Sequence, residues 1–440
     1  MAEVITVFAV IAGLVFLGFI SELIFRKTRI PDVLLLIGAG ILINHVFGWV
    51  NAEDLGFGAR LFTTFALVFI LFQGSLNIQF KKLFESLSRA TLLTVLSFAL
   101  TFFVVSAIAL FSLKLPFMTS MLLGTILGGT SSAVVIPLVQ NLTIKKRYGL
   151  ILTLESAISD VLCIVGTITI IAIIKTGEIS GSSVFRSILS SFSLALVIGL
   201  VAGFIWMMLL SKSRLLMDSY MVTVAVVMGL YAFVESPFVG ASGAIAALTF
   251  GLVLGNSKGI RSTFLRVKNH TDKEPAVRSA LSHSARGFYR EISFFVKVFF
   301  FVYLGILIDL SQPMIFGYAL IFTAGMLIIR PFVVTLSFWG EDVDVKSKAI
   351  MESLIPKGLA AAVLAQIAVQ EAIPGADTVL SLVLAIILVS IVLVAIFAFF
   401  AETGHFKGLL PFLNIHKEET KAIQKEISED DMPVFSEGKD

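Results

Sequence analysis

Hydrophobic positions fall in long blocks separated by short polar punctuation. A membrane-spanning helix needs about 20 mostly apolar residues. Thirteen segments approach that requirement: 4–24, 31–50, 61–76, 90–113, 117–139, 148–174, 188–210, 220–234, 242–254, 292–309, 314–339, 349–369 and 378–401. The eighth and ninth are short, and the gap from Glu235 to Ala241 between them holds Pro237 and Gly240, so twelve or fourteen crossings stay open beside thirteen. The first segment lacks a basic leader and has the length of a span, which marks a retained helix rather than a removable signal peptide.

Composition agrees with a lipid solvent. Apolar residues make up 57% of the 440, charged residues 14%, and mean hydropathy is +0.99. A soluble domain carries about 25% charged residues. The net charge of +3 is too small to point to nucleic acid. Cys163 is the single cysteine, so no internal disulfide can form.

The placement of charge is more informative than its sum. Basic residues concentrate on the cytoplasmic side of membrane proteins. The first, third and fifth loops carry Arg26, Lys27 and Arg29, then Lys81, Lys82 and Arg89, then Lys145, Lys146 and Arg147. The even loops hold only Arg60, Lys114, Lys175 and Arg186. This alternation puts the N-terminus outside, the C-terminus in the cytoplasm and the chain across the cell membrane many times. The longest internal loop, 256–290, is basic and suits an interfacial helix. The tail, 402–440, is polar and acidic near its end, with a solvated segment and a regulatory contact both open.

Two stretches recur. Phe72-Gln73-Gly74-Ser75 in span three resembles Tyr303-Leu304-Gly305-Ile306 in span ten, and the glycine-led Gly129 stretch of span five resembles that at Gly358 in span twelve. The offsets are nearly equal and pair helices of opposite direction, the signature of an inverted repeat. Spans five and twelve both carry helix-weakening clusters, Gly128-Gly129-Thr130-Ser131-Ser132 and Pro356-Lys357-Gly358. A helix broken at mid-membrane exposes carbonyls and amides that can bind ions. Close packing through small residues is the alternative for either cluster alone.

An ionisable group at bilayer depth costs at least about 2.5–3.5 kcal/mol on insertion scales. Span six nevertheless contains Glu155-Ser156-Ala157-Ile158-Ser159-Asp160. At about 100° per residue, Ser156 and Asp160 share one face, and Glu155 and Ser159 the next. A carboxylate among hydroxyls and carbonyls suits a hard monovalent cation, and partly withdrawn from water it also holds a proton. Competition of the two for one site is sufficient for exchange. Glu155 needs a cation of its own. Arg330 in span eleven is the preferred partner in a structural ion pair, because Arg cannot deprotonate to escape burial. Lys297 in span ten either snorkels to the interface or is a second partner of the acidic cluster. Lys357, at the break of span twelve, can balance helix ends and repel a second cation. The five histidines show no metal-ligand spacing, and no phosphate loop, second protease aspartate or channel filter appears. No enzyme activity and no cofactor are expected.

Glu155-Ser156-x-x-Ser159-Asp160 resembles the Glu-Ser-x-x-Asn-Asp of the monovalent cation:proton antiporters, NhaP-like proteins of the sodium/proton exchanger type. Ile30-Pro31-Asp32-Val33, Arg330-Pro331 and Pro356-Lys357-Gly358-Leu359 are lesser matches, and the likeness covers about residues 1–401. It implies an all-α integral membrane fold of two inverted six-helix repeats with crossed broken helices. It implies a homodimer, with dimer-domain helices and a mobile core built around spans four to six and eleven to thirteen. It implies that Asp160 binds both ion and proton, that Ser156 and the Thr130 backbone help hold the cation, and that Glu155 pairs with Arg330. Ser131 and Ser159 are further candidate ligands.

Two departures matter. Ser159 replaces the family's asparagine or aspartate, so one proton per cation, an electroneutral exchange, is expected. Ser131 and Ser132 replace an Asp-Pro often found after the threonine, which leaves the preference between sodium and potassium open. A sodium-coupled solute symporter and a cation channel are the competing functions.

Overall fold

The computed structural model describes residues 2–28, 31–48, 56–76, 80–176, 181–213, 219–260, 262 and 281–402. Most of the interfacial helix expected within 256–290, and the tail beyond 402, lie outside the described residues. All regular structure among the described residues is helical. The helices are α1 (Ala2–Thr28), α2 (Asp32–Ile41), α3 (Gly56–Ser75), α4 (Phe80–Ser112), α5 (Phe117–Ile126), α6 (Ser132–Asn141), α7 (Lys146–Thr176) and α8 (Gly181–Lys212). They continue as α9 (Tyr220–Glu235), α10 (Gly243–Gly255), α11 (His283–Leu307), α12 (Pro313–Ser337), α13 (Val345–Ser353), α14 (Leu359–Gln370) and α15 (Ala376–Glu402). Runs within α1, α4, α7, α8, α12 and α15 are long and apolar enough to cross a membrane, and shorter apolar helices accompany them. Phe8, Phe16 and Phe19 on α1 and Phe204 and Ile205 on α8 are exposed, an exterior suited to lipid.

Hydropathy located the apolar parts of the helices better than their ends. α4 begins at Phe80 and α11 at His283, both inside expected loops. The extension of α11 has a local cause, since the Ser282 hydroxyl caps its start by accepting from the Ala285 amide at 3.1 Å.

Spans five and twelve are broken where their glycines and proline stand. α5 stops at Ile126 and α6 starts at Ser132; α13 stops at Ser353 and α14 starts at Leu359. Pro356 has no amide hydrogen and disfavours helical geometry in Ile355 before it. Gly358 is required by proximity, because a Cβ there would lie 2.8 Å from the Cβ of Ser131. The two breaks therefore cross in contact.

Packing sorts the helices into two groups. α4, α5, α6, α7, α12, α13, α14 and α15 surround the crossed breaks. α10 packs between α3 and α8, and α2 lies along α11. The groups meet where α14 touches α3 and α11, and where α2 touches α15. α2 and α11 approach backbone to backbone, since a methyl group at Gly40 would lie 2.8 Å from the Cα of Gly305. Small residues permit such contact in membranes. Beyond it α2 ends in a π-helical turn, Leu42–Val46. There Asn44 donates to Ile306 O at 2.8 Å, and the His45 ring lies 2.7 Å from Ile308 O, so the last carbonyls of α11 have side-chain partners.

Gly40→Leu is expected to push α2 and α11 apart and lower the unfolding temperature of the purified protein in detergent. Gly38→Ala, with open space at its Cβ position, leaves that temperature unchanged.

Candidate functional site

The site starts from one helix. α7 carries Glu155, Ser156, Ser159 and Asp160, and five residues separate its carboxylates by about 140° around the axis. They consequently serve different neighbours.

Asp160 faces the start of α6. The Ser132 hydroxyl donates to Asp160 Oδ2 at 2.7 Å, and the Ser132 amide donates to the same carboxylate. A helix N-terminus carries partial positive charge and free amides, so an anion belongs there. The opposite pole of the interruption is matched in the opposite sense. Lys357 Nζ donates at 2.5 Å to Gly129 O, just beyond the C-terminal end of α5. The crossing itself is tied by the Ser131 amide, which donates to Pro356 O at 2.8 Å, and by the Lys357 amide, which donates to the Ser390 hydroxyl of α15 at 3.0 Å.

The remaining candidate residues take defined places around this centre. Thr130 donates its amide to the Ser159 hydroxyl at 3.1 Å, and that hydroxyl donates to Ser156 O at 3.1 Å. Ser156 donates its own hydroxyl to Thr153 O at 3.0 Å. Ser156 and Ser159 are buried within a few residues of Asp160, with their hydroxyls bonded to backbone. Of the two serines in the break it is Ser132 whose hydroxyl bonds to Asp160. The reason is geometric: Ser131 is the extended cap residue whose side chain packs on Gly358, whereas Ser132 opens the helix.

Glu155 meets Arg330, both about 1% exposed. Arg330 Nη2 donates to Glu155 Oε2 at 2.8 Å and Nη1 to Oε1. Nη1 also donates to the Ser97 hydroxyl of α4 at 3.0 Å, and Nε to Met351 O in the last turn of α13 at 3.0 Å. One guanidinium thus joins α4, α7, α12 and α13. Ser97 was not legible as a partner, being one serine in an apolar run.

Lys297 pairs outside the acidic cluster of α7. Its Nζ lies 2.5 Å from Asp32 Oδ2, with the lysine side chain 18% exposed. Asp32 stands at the start of α2, and the close α2–α11 packing brings it beside α11 before any other carboxylate. In the sequence Asp32 stands out only as part of the Ile30-Pro31-Asp32-Val33 match.

Ends of the crossed helices are held separately. Lys145 pairs with Asp344 at 2.9 Å and Arg147 with Glu341, linking the start of α7 to the turn between α12 and α13. At the other end the Thr119 hydroxyl donates to Pro374 O at 3.0 Å, and Lys175 pairs with Glu371.

A family profile described as the transmembrane sodium/hydrogen exchanger matches residues 11–402. The chain belongs to the sodium/hydrogen exchanger family. Among the relatives of this chain is the K(+)/H(+) antiporter NhaP2 of Shewanella baltica, 26% identical over 83% of this chain and 61% of that protein. NhaP2 of Shewanella oneidensis is 29% identical over 52% of this chain and 40% of its own length. The chain thus spans about half the length of these curated relatives. A probable Na(+)/H(+) antiporter 2 of Methanocaldococcus jannaschii is 26% identical over 69% of this chain and 72% of that protein. The fold of the chain matches that of the sodium proton antiporter MjNhaP1 of the same archaeon, with TM-score 0.73, 22% identity, and 91% and 99% of the two chains covered.

Two predictions concern this scaffold. Arg330→Gln leaves Glu155 buried and unpaired, at a cost of about 3–5 kcal/mol. Thermal unfolding in detergent should show a large loss that Arg330→Lys does not restore, since an ammonium lacks the planar fork; Glu155→Gln with Arg330→Gln should recover part. The second concerns Asp344, outside the apolar spans. Burial opposes its charge, but Lys145 and the Ser347 amide outweigh it and hold the carboxyl below the usual carboxylate range. Its stabilisation is therefore complete above the unfolded value of about 3.9 and lost only as pH falls through the lower folded value. Asp344→Asn should lower stability by the same amount at every pH from about 5 to 9.

Proposed function

We propose that this exchanger is a secondary antiporter that moves a monovalent cation, Na+ or K+, against protons by alternating access. The observation that carries this is the placement of Asp160: a carboxylate at membrane depth, aimed at the free amide end of a half-helix where two broken helices cross. A bare charge there is costly to move past lipid. A bound proton or a bound cation discharges it, and either loaded form can cross. Asp160 would hold both in turn, with the Thr130 carbonyl and Ser156 as further candidate ligands. With Glu155 committed to Arg330, one titratable carboxylate remains for transport, which makes the exchange one proton for one cation.

The group of helices around the crossing is the moving core in this reading, and the group containing α2, α3, α10 and α11 is the static partner that forms the homodimer. Ties at the centre and both ends of the crossed helices support movement of the core as one body. The basic loops support a chain in the cell membrane with its N-terminus outside and its C-terminus in the cytoplasm. The relatives' names, K(+)/H(+) and Na(+)/H(+) antiporter, support the substrate class and leave both cations in it.

In proteoliposomes with a preset pH gradient, adding Na+ or K+ is expected to collapse the gradient with the native protein. Asp160→Asn, which keeps shape and loses charge, should abolish the collapse at normal folding yield. A gradient that survives both cations would refute the antiport; a fully active Asp160→Asn would refute the role of the carboxylate.

A further inference from the structure

Ser132 does something no other hydroxyl of the site does. Ser156 and Ser159 direct their hydroxyls to the backbone of α7, at 3.0 and 3.1 Å. Ser131 packs its side chain on Gly358. Ser132 directs its hydroxyl to the carboxylate, at 2.7 Å. It is also half-buried where Ser131 and Ser159 are buried, so an ion that reaches Asp160 reaches Ser132 with it. Its place is fixed by backbone, since the first residue of α6 sends amide and side chain toward the same carboxylate.

We propose that Ser132 is the specificity-determining residue of the exchange site: its hydroxyl donates to the empty carboxylate and turns to become a direct ligand of the dehydrated alkali cation. The proposal rests on the antiport reading and adds to it the residue that chooses among cations. A hydroxyl has one proton and two lone pairs, and its proton rotates freely. Toward ionised Asp160 it donates. Toward a protonated Asp160 it accepts. Toward a cation lodged against Asp160 it offers a lone pair and points its proton away. No bond is made or broken in this rotation, and the same oxygen serves each state of the cycle.

The selectivity follows from ligand number. A cation that leaves water must recover its lost hydration from protein oxygens, and the number and placement of those oxygens set the preference between ions. Smaller alkali ions hold water more tightly and suffer more from a missing ligand. Removing the Ser132 oxygen therefore penalises Li+ and Na+ more than K+. Loss of one charge-assisted contact corresponds to roughly tenfold in affinity.

The test compares Li+, Na+ and K+ in proteoliposomes, with half-saturating concentrations for native protein, Ser132→Ala, Ser132→Thr and Asp160→Asn. Ser132→Ala is expected to raise the half-saturating Na+ concentration about tenfold and that for K+ by less, and Ser132→Thr, which keeps the oxygen, to restore the native ratio. Should Ser132→Ala fold poorly, cation-induced thermal shifts of Ser132→Thr and Ser132→Cys decide: the native order of ions in threonine and an order shifted away from the smaller ions in cysteine support the proposal. The native order in both overturns it, and so does a Ser132→Ala protein with unchanged cation ratios. If Asp160→Asn is inactive while Ser132→Ala keeps the native ratios, the antiport reading stands and only this proposal falls. If Asp160→Asn transports normally, the fault lies in the role given to the carboxylate.

Discussion

Interrupting a helix in the middle of a membrane releases amides and carbonyls that lipid cannot satisfy. This chain does it twice, and several of its buried polar side chains answer to those two interruptions. Lys357 meets the carbonyl end of one half-helix and Asp160 the amide end of the next, while Ser131 and Pro356 bond across the crossing. The charges that appear out of place in an apolar sequence are thus complements to backbone poles.

Around that centre, Arg330 solves a related problem. An arginine at this depth must fill its donors, and here it does so on Glu155, Ser97 and the last turn of α13. The result is a buried hub that joins four helices and engages both oxygens of Glu155. Two carboxylates on one helix are kept chemically distinct by their angular separation and by their partners.

Much of this was visible in the chain itself. Glycine and proline clusters at Gly128, Gly129, Pro356 and Gly358 marked both breaks, because local backbone chemistry makes those residues poor helix interiors. The exceptional cost of charge in lipid singled out Glu155, Asp160, Arg330 and Lys357. What stayed hidden depended on rotation and distance between helices. Nothing in the order Thr130-Ser131-Ser132 told which serine would face α7. Asp32 and Lys297 are far apart in sequence, and only the glycine contact between α2 and α11 makes them neighbours. Ser97 and Ser390 looked like ordinary serines among apolar residues, since their use is decided by what another helix brings to them.

The crossed helices are fastened in two different ways. Their centre is held by short bonds among buried groups, whereas their far ends are held partly by ion pairs open to water, Lys145 with Asp344 and Lys175 with Glu371. Dissolved electrolyte screens the second kind and scarcely touches the first. A rise in salinity would therefore loosen the rims of the crossed pair and leave its waist intact.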